Sequence, residues 1–398
     1  AHDALARAHR SVDKPQAAIG TALYVLGYNE HQAGRMEAAL QHLGQAAELF
    51  AHHEPQHSMR IDTLMWLGNT HIVREDFDAA IATFRGALPL ADAQPTLRDY
   101  SAGALHQALA DALSSAGWLA ECMPHRDMGI ELSARALGQG HPNVWMMRVG
   151  RGRFRHQLGQ VDVGREEVNA AIVAARDDTM PSAGNLRDRI AVAQAMMALD
   201  EGDIGAALAL NGPLLQRYAN SGAQTLGSAL MRQAEAAGWL GDHAAASAAG
   251  RRALALMDSQ IGADTIRAKQ ARVVLAEALA RSGADLATAD AHTEEASRLF
   301  EQVLMPAPAD HAAAPPPALQ LQRARARVGL AELALARVDP ASALPLARAA
   351  LVSLDTGTQV LRERLVRGQA RWVEARALQA LGQMAPAQAA RDDAAAQL

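Results

Sequence analysis

The sequence predicts an all-α fold of about nine helix-turn-helix repeats, and three observations predict it. Alanine and leucine dominate the 398 residues and aromatics make up only 4%, a composition that favours helices over strands. The pair Leu26-Gly27 returns 41 residues later as Leu67-Gly68, inside two segments that align end to end, LYVLGYNEHQAGRMEAALQHLGQAAEL and LMWLGNTHIVREDFDAAIATFRGALPL. Turn positions recur at Gly34, Glu75, Gly117, Gly159, Gly202, Gly241, Gly283, about Val338 and Gly382, mostly 39 to 44 residues apart. The length also exceeds what one compact core usually spans, which suits stacked units.

Each repeat reads as two amphipathic helices around one of these turns. In the first helix, Gly27, Gly68, Ala110, Gly152, Ala195, Ala234, Ala276, Ala331 and Ala375 fall at one register. In the second, Ala39, Ala80, Cys122, Ala207, Ala246, Ala343 and Ala387 do the same. Small side chains at both places let paired helices approach closely, and neighbouring repeats then bury a continuous core. Along the chain, 1–14 reads as an N-terminal helix or the remnant of a preceding repeat and 15–304 as a solenoid of about seven repeats. The segment MPAPADHAAAPPPA at 305–318 reads as a loop, and 319–398 as the last two repeats with a C-terminal cap.

These features resemble the tetratricopeptide repeat in its longer form of about 42 residues, found in kinesin light chains and many bacterial signalling proteins. GHPNV at 140–144 is similar to the G-x-x-H-P-x-V-A linker of that form. The resemblance spans nearly the whole chain and implies a right-handed superhelix whose first helices line a concave face that holds a protein or peptide. Arg151, Gln194, Gln233 and Glu374 stand where the pattern has an apolar residue, as a one-residue shift of register in repeats four, five, six and nine would explain. Carried onto this chain, the groove-facing register names Tyr24, Tyr28, His31, Asp62, Met65, Trp66 and Asn69 from repeats one and two. From repeats three and four it names Gln107, Asp111, Met146, Arg153 and His156. Aromatic, Met, Asn and Arg side chains in such a stripe have the composition of a protein-binding surface. The basic clamp of chaperone-docking members has no counterpart, because Tyr24, Tyr28, Trp66, Ala104 and Ala108 hold the matching places. The paired asparagines of kinesin light chains are replaced by Tyr24-Val25, Met65-Trp66 and Gln107-Ala108.

Composition narrows the function further. The net charge of −5 gives no overall field toward nucleic acid or an anionic membrane, so nucleic acid is not an expected partner. No apolar run has the length of a membrane span, and direct membrane insertion is not expected. A single cysteine, Cys122, at a packing register reads as a structural thiol. HEPQH at 53–57 has the letters of the zinc motif H-E-x-x-H, yet Pro55 lies between the two histidines and disfavours the helix that would set them one turn apart. The segment therefore reads as an inter-repeat loop, with no metal, cofactor or catalytic residue expected. VGRGRFRH at 149–156 fails the G-x-G-x-x-G phosphate motif at Arg155 and reads as an arginine-covered helix. Trp145 and Trp239 read as packing anchors, whereas Trp66 and Trp372 fall nearer the groove.

The chain opens at Ala1 without methionine and ends in an alanine-rich helical stretch, as expected of part of a longer protein. The resemblance extends to the C-terminal repeat regions of bacterial membrane-anchored serine/threonine kinases of eukaryotic type, which implies a periplasmic sensor. A cytoplasmic adaptor, or the repeat half of a transcription regulator, is the alternative. Homodimer formation through exposed terminal helices is a third reading.

Overall fold

The computed structural model describes residues 16–55, 57–93, 98–176, 183–221, 223–282, 286–306, 315–354 and 360–397. The expected N-terminal segment 1–14, the turn at Gly283 and most of the 305–318 insert lie outside them. The described residues hold 18 helices and no strand, in nine consecutive pairs. The pairs are α1 (Gln16–Gln32) with α2 (Met36–His53), α3 (Met59–Val73) with α4 (Phe77–Asp92), and α5 (Arg98–Ala116) with α6 (Leu119–Leu137). Next come α7 (Pro142–Gln157) with α8 (Val161–Ala174), α9 (Ala183–Glu201) with α10 (Ile204–Arg217), and α11 (Ala223–Trp239) with α12 (His243–Gln260). The last three are α13 (Ile266–Arg281) with α14 (Leu286–Leu304), α15 (Pro317–Ala336) with α16 (Pro340–Ser353), and α17 (Leu361–Ala380) with α18 (Met384–Gln397). This is the solenoid of tetratricopeptide type that the repeat pattern predicts.

The turns follow one local rule. Gly34, Glu75, Gly117, Gly159, Gly202, Gly241, Val338 and Gly382 all have positive φ, between 60° and 95°. The next residue in each case donates its N–H to the carbonyl five residues back, as Asp76 does to His71 at 2.9 Å and Asp203 to Ala198 at 2.8 Å. That bond closes the first helix by satisfying one of its last free carbonyls. At four of the turns the donor is an aspartate, Asp76, Asp203, Asp242 or Asp339, whose carboxylate then caps the N-terminus of the second helix.

Close helix contact explains the small-residue registers. Ala110, Ala195, Ala234, Ala276, Ala331 and Ala375 are all buried, as are Ala39, Ala80, Cys122, Ala207, Ala246, Ala343 and Ala387. A methyl group on Gly27 would stand 2.6 Å from Leu43 Cγ, and one on Gly68 2.5 Å from the Phe84 ring. In the fourth pair the backbones themselves meet, since a methyl on Gly152 would lie 2.8 Å from the carbonyl oxygen of Gly164. At two of the departures from the pattern an ion pair accounts for the charged residue without a shift of register. Glu374 is buried because Arg348 and Arg371 bond its two carboxylate oxygens at 2.9 and 2.8 Å, and Arg151 pairs with Glu167 at 2.6 Å.

The chain divides into two compact units, 1–147 and 148–398. Within the first unit, the first helices α1, α3 and α5 also touch one another, and within the second α11, α13, α15 and α17 do so. First helices therefore form a contiguous layer through the first unit and from α11 to α17 in the second. Packing runs on across the insert: Val273, Leu275 and Leu279 of α13, Phe300 of α14 and Leu333 of α15 share one buried cluster.

Candidate functional site

In the first unit, the apolar stripe of α1 turns Ile19, Leu23 and Leu26 into the core, which leaves Tyr24, Tyr28 and His31 at helical spacing on a half-buried face. Trp66 of α3 meets them. Its ring lies edge-on to Tyr28 with centroids 4.8 Å apart and edge-on to His31 at 5.1 Å, while Tyr24 and Tyr28 stack at 6.4 Å. His31 Nδ1 also lies 2.9 Å from the Thr70 hydroxyl. Burial raises the pKa of the Tyr24 hydroxyl, with the nearby Asp62 carboxylate adding to the rise, and burial likewise raises Asp62 and lowers His31. The result is a braced aromatic surface edged by one exposed carboxylate.

The other residues of the expected stripe are placed less uniformly. Met65, Asn69, Gln107, Asp111, Met146 and Arg153 are half-buried and Asp62 is exposed. Gln107 and Asp111 belong to an internal network, because Asp111 Oδ1 accepts from Gln107 Nε2 at 2.9 Å and from the buried Arg126 at 2.7 Å. Arg153 and His156 lie in the second unit. Arg153 sits over the Phe154 ring at 4.0 Å, and its Nη1 lies 3.5 Å from Met196 Sδ. His156 is fully buried, 2.7 Å from Glu201 Oε1, so it presents no surface to a groove.

Of the described residues of HEPQH, His53 ends α2, and Glu54, Pro55 and His57 lie between it and α3, which starts at Met59. His57 stacks on Phe50 at 4.5 Å, and its Nδ1 accepts the Met59 N–H at 3.2 Å, which caps α3. Among the described residues, no three His, Cys, Asp or Glu side chains are grouped to hold a metal, and no helix is long and apolar enough to cross a membrane.

The second unit contains a feature that the sequence reading missed, a cavity of about 450 Å³ lined by residues of α9, α10, α11, α13, α15 and α17. Arg325 of α15 bonds Glu277 of α13 through Nε at 3.0 Å and Nη2 at 2.8 Å, and reaches Glu235 of α11 at 3.3 Å. Arg362 of α17 bonds Asp200 of α9 at 2.7 Å and lies 3.6 Å from Glu235. Burial pushes the Glu235 carboxyl up, but Arg362, Arg325, Arg281 and Arg232 together hold it below the usual carboxylate range. Glu235 in turn is the chief cause of the raised pKa of Arg362. Arg232, whose Nε donates to Asn211 Oδ1 at 3.0 Å, is lowered by burial to about 10. Trp239, expected as a buried anchor, is 54% exposed and lines the cavity, with the Arg281 guanidinium 4.6 Å from its ring centre. A sequence signal for part of this site existed. The position after the small first-helix residue, occupied by Tyr28, Asn69, Asp111 and Arg153 in the early repeats, holds Glu235, Glu277 and Glu332 later on.

No protein-family model matches the sequence, and no curated protein matches it. Solved structures do. A Rap protein complexed with Competence and Sporulation Factor is 13% identical, with 96% of this chain and 100% of that chain covered at a TM-score of 0.57. The apo form of RapI is 10% identical, with coverages of 95% and 97% and a TM-score of 0.53. A tetratricopeptide repeat protein from Parabacteroides merdae is 11% identical, with coverages of 88% and 98% and a TM-score of 0.35. For the first two, at these identities, the likeness is one of fold.

Proposed function

We propose that the chain is a non-catalytic scaffold that binds a protein or peptide, and that α1 and α3 carry the contact surface of the first unit. One observation carries this reading: the Tyr24, Tyr28, His31 and Trp66 side chains form a contiguous, half-exposed aromatic surface on adjacent first helices, with Asp62 at its edge. Rigid aromatic side chains bury much area at low entropic cost, which is why they dominate binding hot spots. A Rap protein with this repeat architecture was solved with a bound factor, which supports the reading by analogy of fold. The parent protein we favour is a bacterial signalling protein such as a membrane-anchored serine/threonine kinase, with the repeats as its sensory or partner-binding region. The alternative is a cytoplasmic adaptor or the repeat half of a transcription regulator.

The test is a crosslinking pull-down with the purified chain, run separately on periplasmic and cytoplasmic extracts of the source cell, beside the Tyr28→Ala and Arg153→Glu variants. Tyr28→Ala is expected to weaken capture about tenfold with helicity unchanged. Capture only from periplasm supports the sensor, and capture only from cytoplasm moves the reading to the adaptor. Loss in Arg153→Glu alone would take the contact surface away from α1 and α3.

A further inference from the structure

The cavity of the second unit has the makings of a separate ligand site. Its floor sets three carboxylates, Asp200, Glu235 and Glu277, against two guanidiniums, Arg325 and Arg362, each already shared between two acids. Of the other charges nearby, Glu201 is met by His156 at 2.7 Å and Arg165 at 2.8 Å, and Arg281, which lies over Trp239, acts with Arg232 on Glu235. Asp200 then stands out. Its side chain is only 2% exposed and lines the cavity, Oδ1 accepts from Arg362 at 2.7 Å, and the buried Oδ2 has no hydrogen-bond partner. A buried carboxylate oxygen left without a donor is costly, and a charged donor satisfies it best. Above the floor the walls turn apolar, with Leu199, Trp239, Leu321, Leu365 and Val366. Trp239 and Leu365 are both exposed, and Arg281 demonstrates that this indole accepts a cation against its face.

We propose that this cavity is a binding site for a single ammonium or guanidinium group on an apolar stem, the head donating to Asp200 Oδ2 and the stem lying against Trp239 and Leu365. Two sources share this chemistry, a free alkylamine or polyamine and the lysine or arginine side chain of a peptide. A neutral ligand of the same shape is excluded by the reading, because it brings no charged donor to the unpartnered Asp200 oxygen.

Isothermal titration of the full chain tests this with four probes: spermidine, agmatine, an end-blocked arginine peptide, and the same peptide with citrulline in place of arginine. The expected result is saturable binding of at least one cationic probe and none of the citrulline peptide. A preference for spermidine or agmatine assigns a free amine, and a preference for the arginine peptide assigns a side chain. Asp200→Asn, which keeps an oxygen to accept from Arg362, is expected to weaken the binding roughly tenfold or more under conditions where the variant remains folded. Trp239→Ala, at an exposed position, tests the stem contact independently should Asp200→Asn unfold, with a weakening of similar direction. Equal binding of the citrulline peptide, no saturable binding of any cationic probe, or unchanged affinity in a folded Asp200→Asn or in Trp239→Ala would overturn the proposal.

Discussion

Gly68 and Gly86 show how a single position takes its value from what faces it. A methyl on Gly68 would collide with the Phe84 ring at 2.5 Å, whereas one on Gly86, on the exposed side of α4, meets nothing within 4 Å. Gly68→Ala is therefore expected to destabilise by about 1–3 kcal/mol through overpacking. Gly86→Ala should stabilise by roughly 0.5–1 kcal/mol, because alanine loses less entropy in a helix. Urea unfolding of the two variants checks the contrast, and similar midpoints would refute it. Titration at single residues also separates the two units. His31, His106 and His125 are all held below the ordinary histidine value of 6.5, mainly by burial; His125 adds to the effect on His106, and Arg85 to that on His125. A depressed histidine binds fewer protons folded than unfolded, so its folded-state advantage is whole above 6.5 and declines as pH falls below it. Asp62, raised by burial, acts in the opposite direction. In the second unit Glu201, Glu235 and Glu295 lie below the ordinary 4.5, so their contribution persists until the pH drops through that range. Between neutral pH and about pH 5 the first unit should loosen before the second. Hydrogen exchange corrected for its intrinsic pH dependence reads this directly, and earlier loosening of α11 to α17 would contradict it.

At the scale of the element, the helix-turn-helix pair is defined as much by its turn as by its helices. Of the eight described positive-φ residues at turns within a helix pair, two are not glycine: Glu75 at φ 61° and Val338 at φ 60°. A left-handed backbone costs an L-residue roughly 1–2 kcal/mol, and a β-branched one tolerates it worst. Val338 is 86% exposed, so its side chain recovers little by packing. Val338→Gly should raise stability by about 1 kcal/mol, with a smaller gain for Glu75→Gly. A lower melting temperature in Val338→Gly would mean that the backbone there is not the strained feature. Both turns were legible in the sequence because the period located them without a glycine. The aspartate caps were not read from the sequence, although an aspartate after the turn residue is a local feature that needs no distant partner.

At the scale of the whole molecule, stability in a solenoid is carried between neighbours, and the second unit adds a longer-range layer to this. Arg325 ties α15 to α13 and α11, and Arg362 ties α17 to α9, 162 residues back along the chain. Removing one partner from a buried pair strands the other charges, so Arg325→Ala should cost the second unit about 3–5 kcal/mol. The cluster around Phe300 and Leu333 joins α13, α14 and α15, and a second joins α15 to α16, which argues that α13 to α16 unfold together despite the insert. Hydrogen exchange should give their core amides a common opening free energy. Protection of α15 and α16 that is lost independently of α13 would instead make the last repeats a separate block.

The sequence by itself determined the repeat: its length, the turn positions, the small-residue registers and the placement of HEPQH in a loop between helices. All of these are local or periodic, and each repeat states them again in its own residues. Tertiary structure alone decided which first-helix side chains stay open and which are consumed. His156 vanished into the core against Glu201, Asp111 was engaged by Arg126, and Trp239 emerged at the edge of a cavity. Those outcomes depend on how far each repeat is turned against the next, an angle set by the summed packing of many side chains. The pairing of Arg362 with Asp200 has the same origin: no spacing in the chain links the two, and only the stacking of the intervening repeats brings a guanidinium of α17 to a carboxylate of α9.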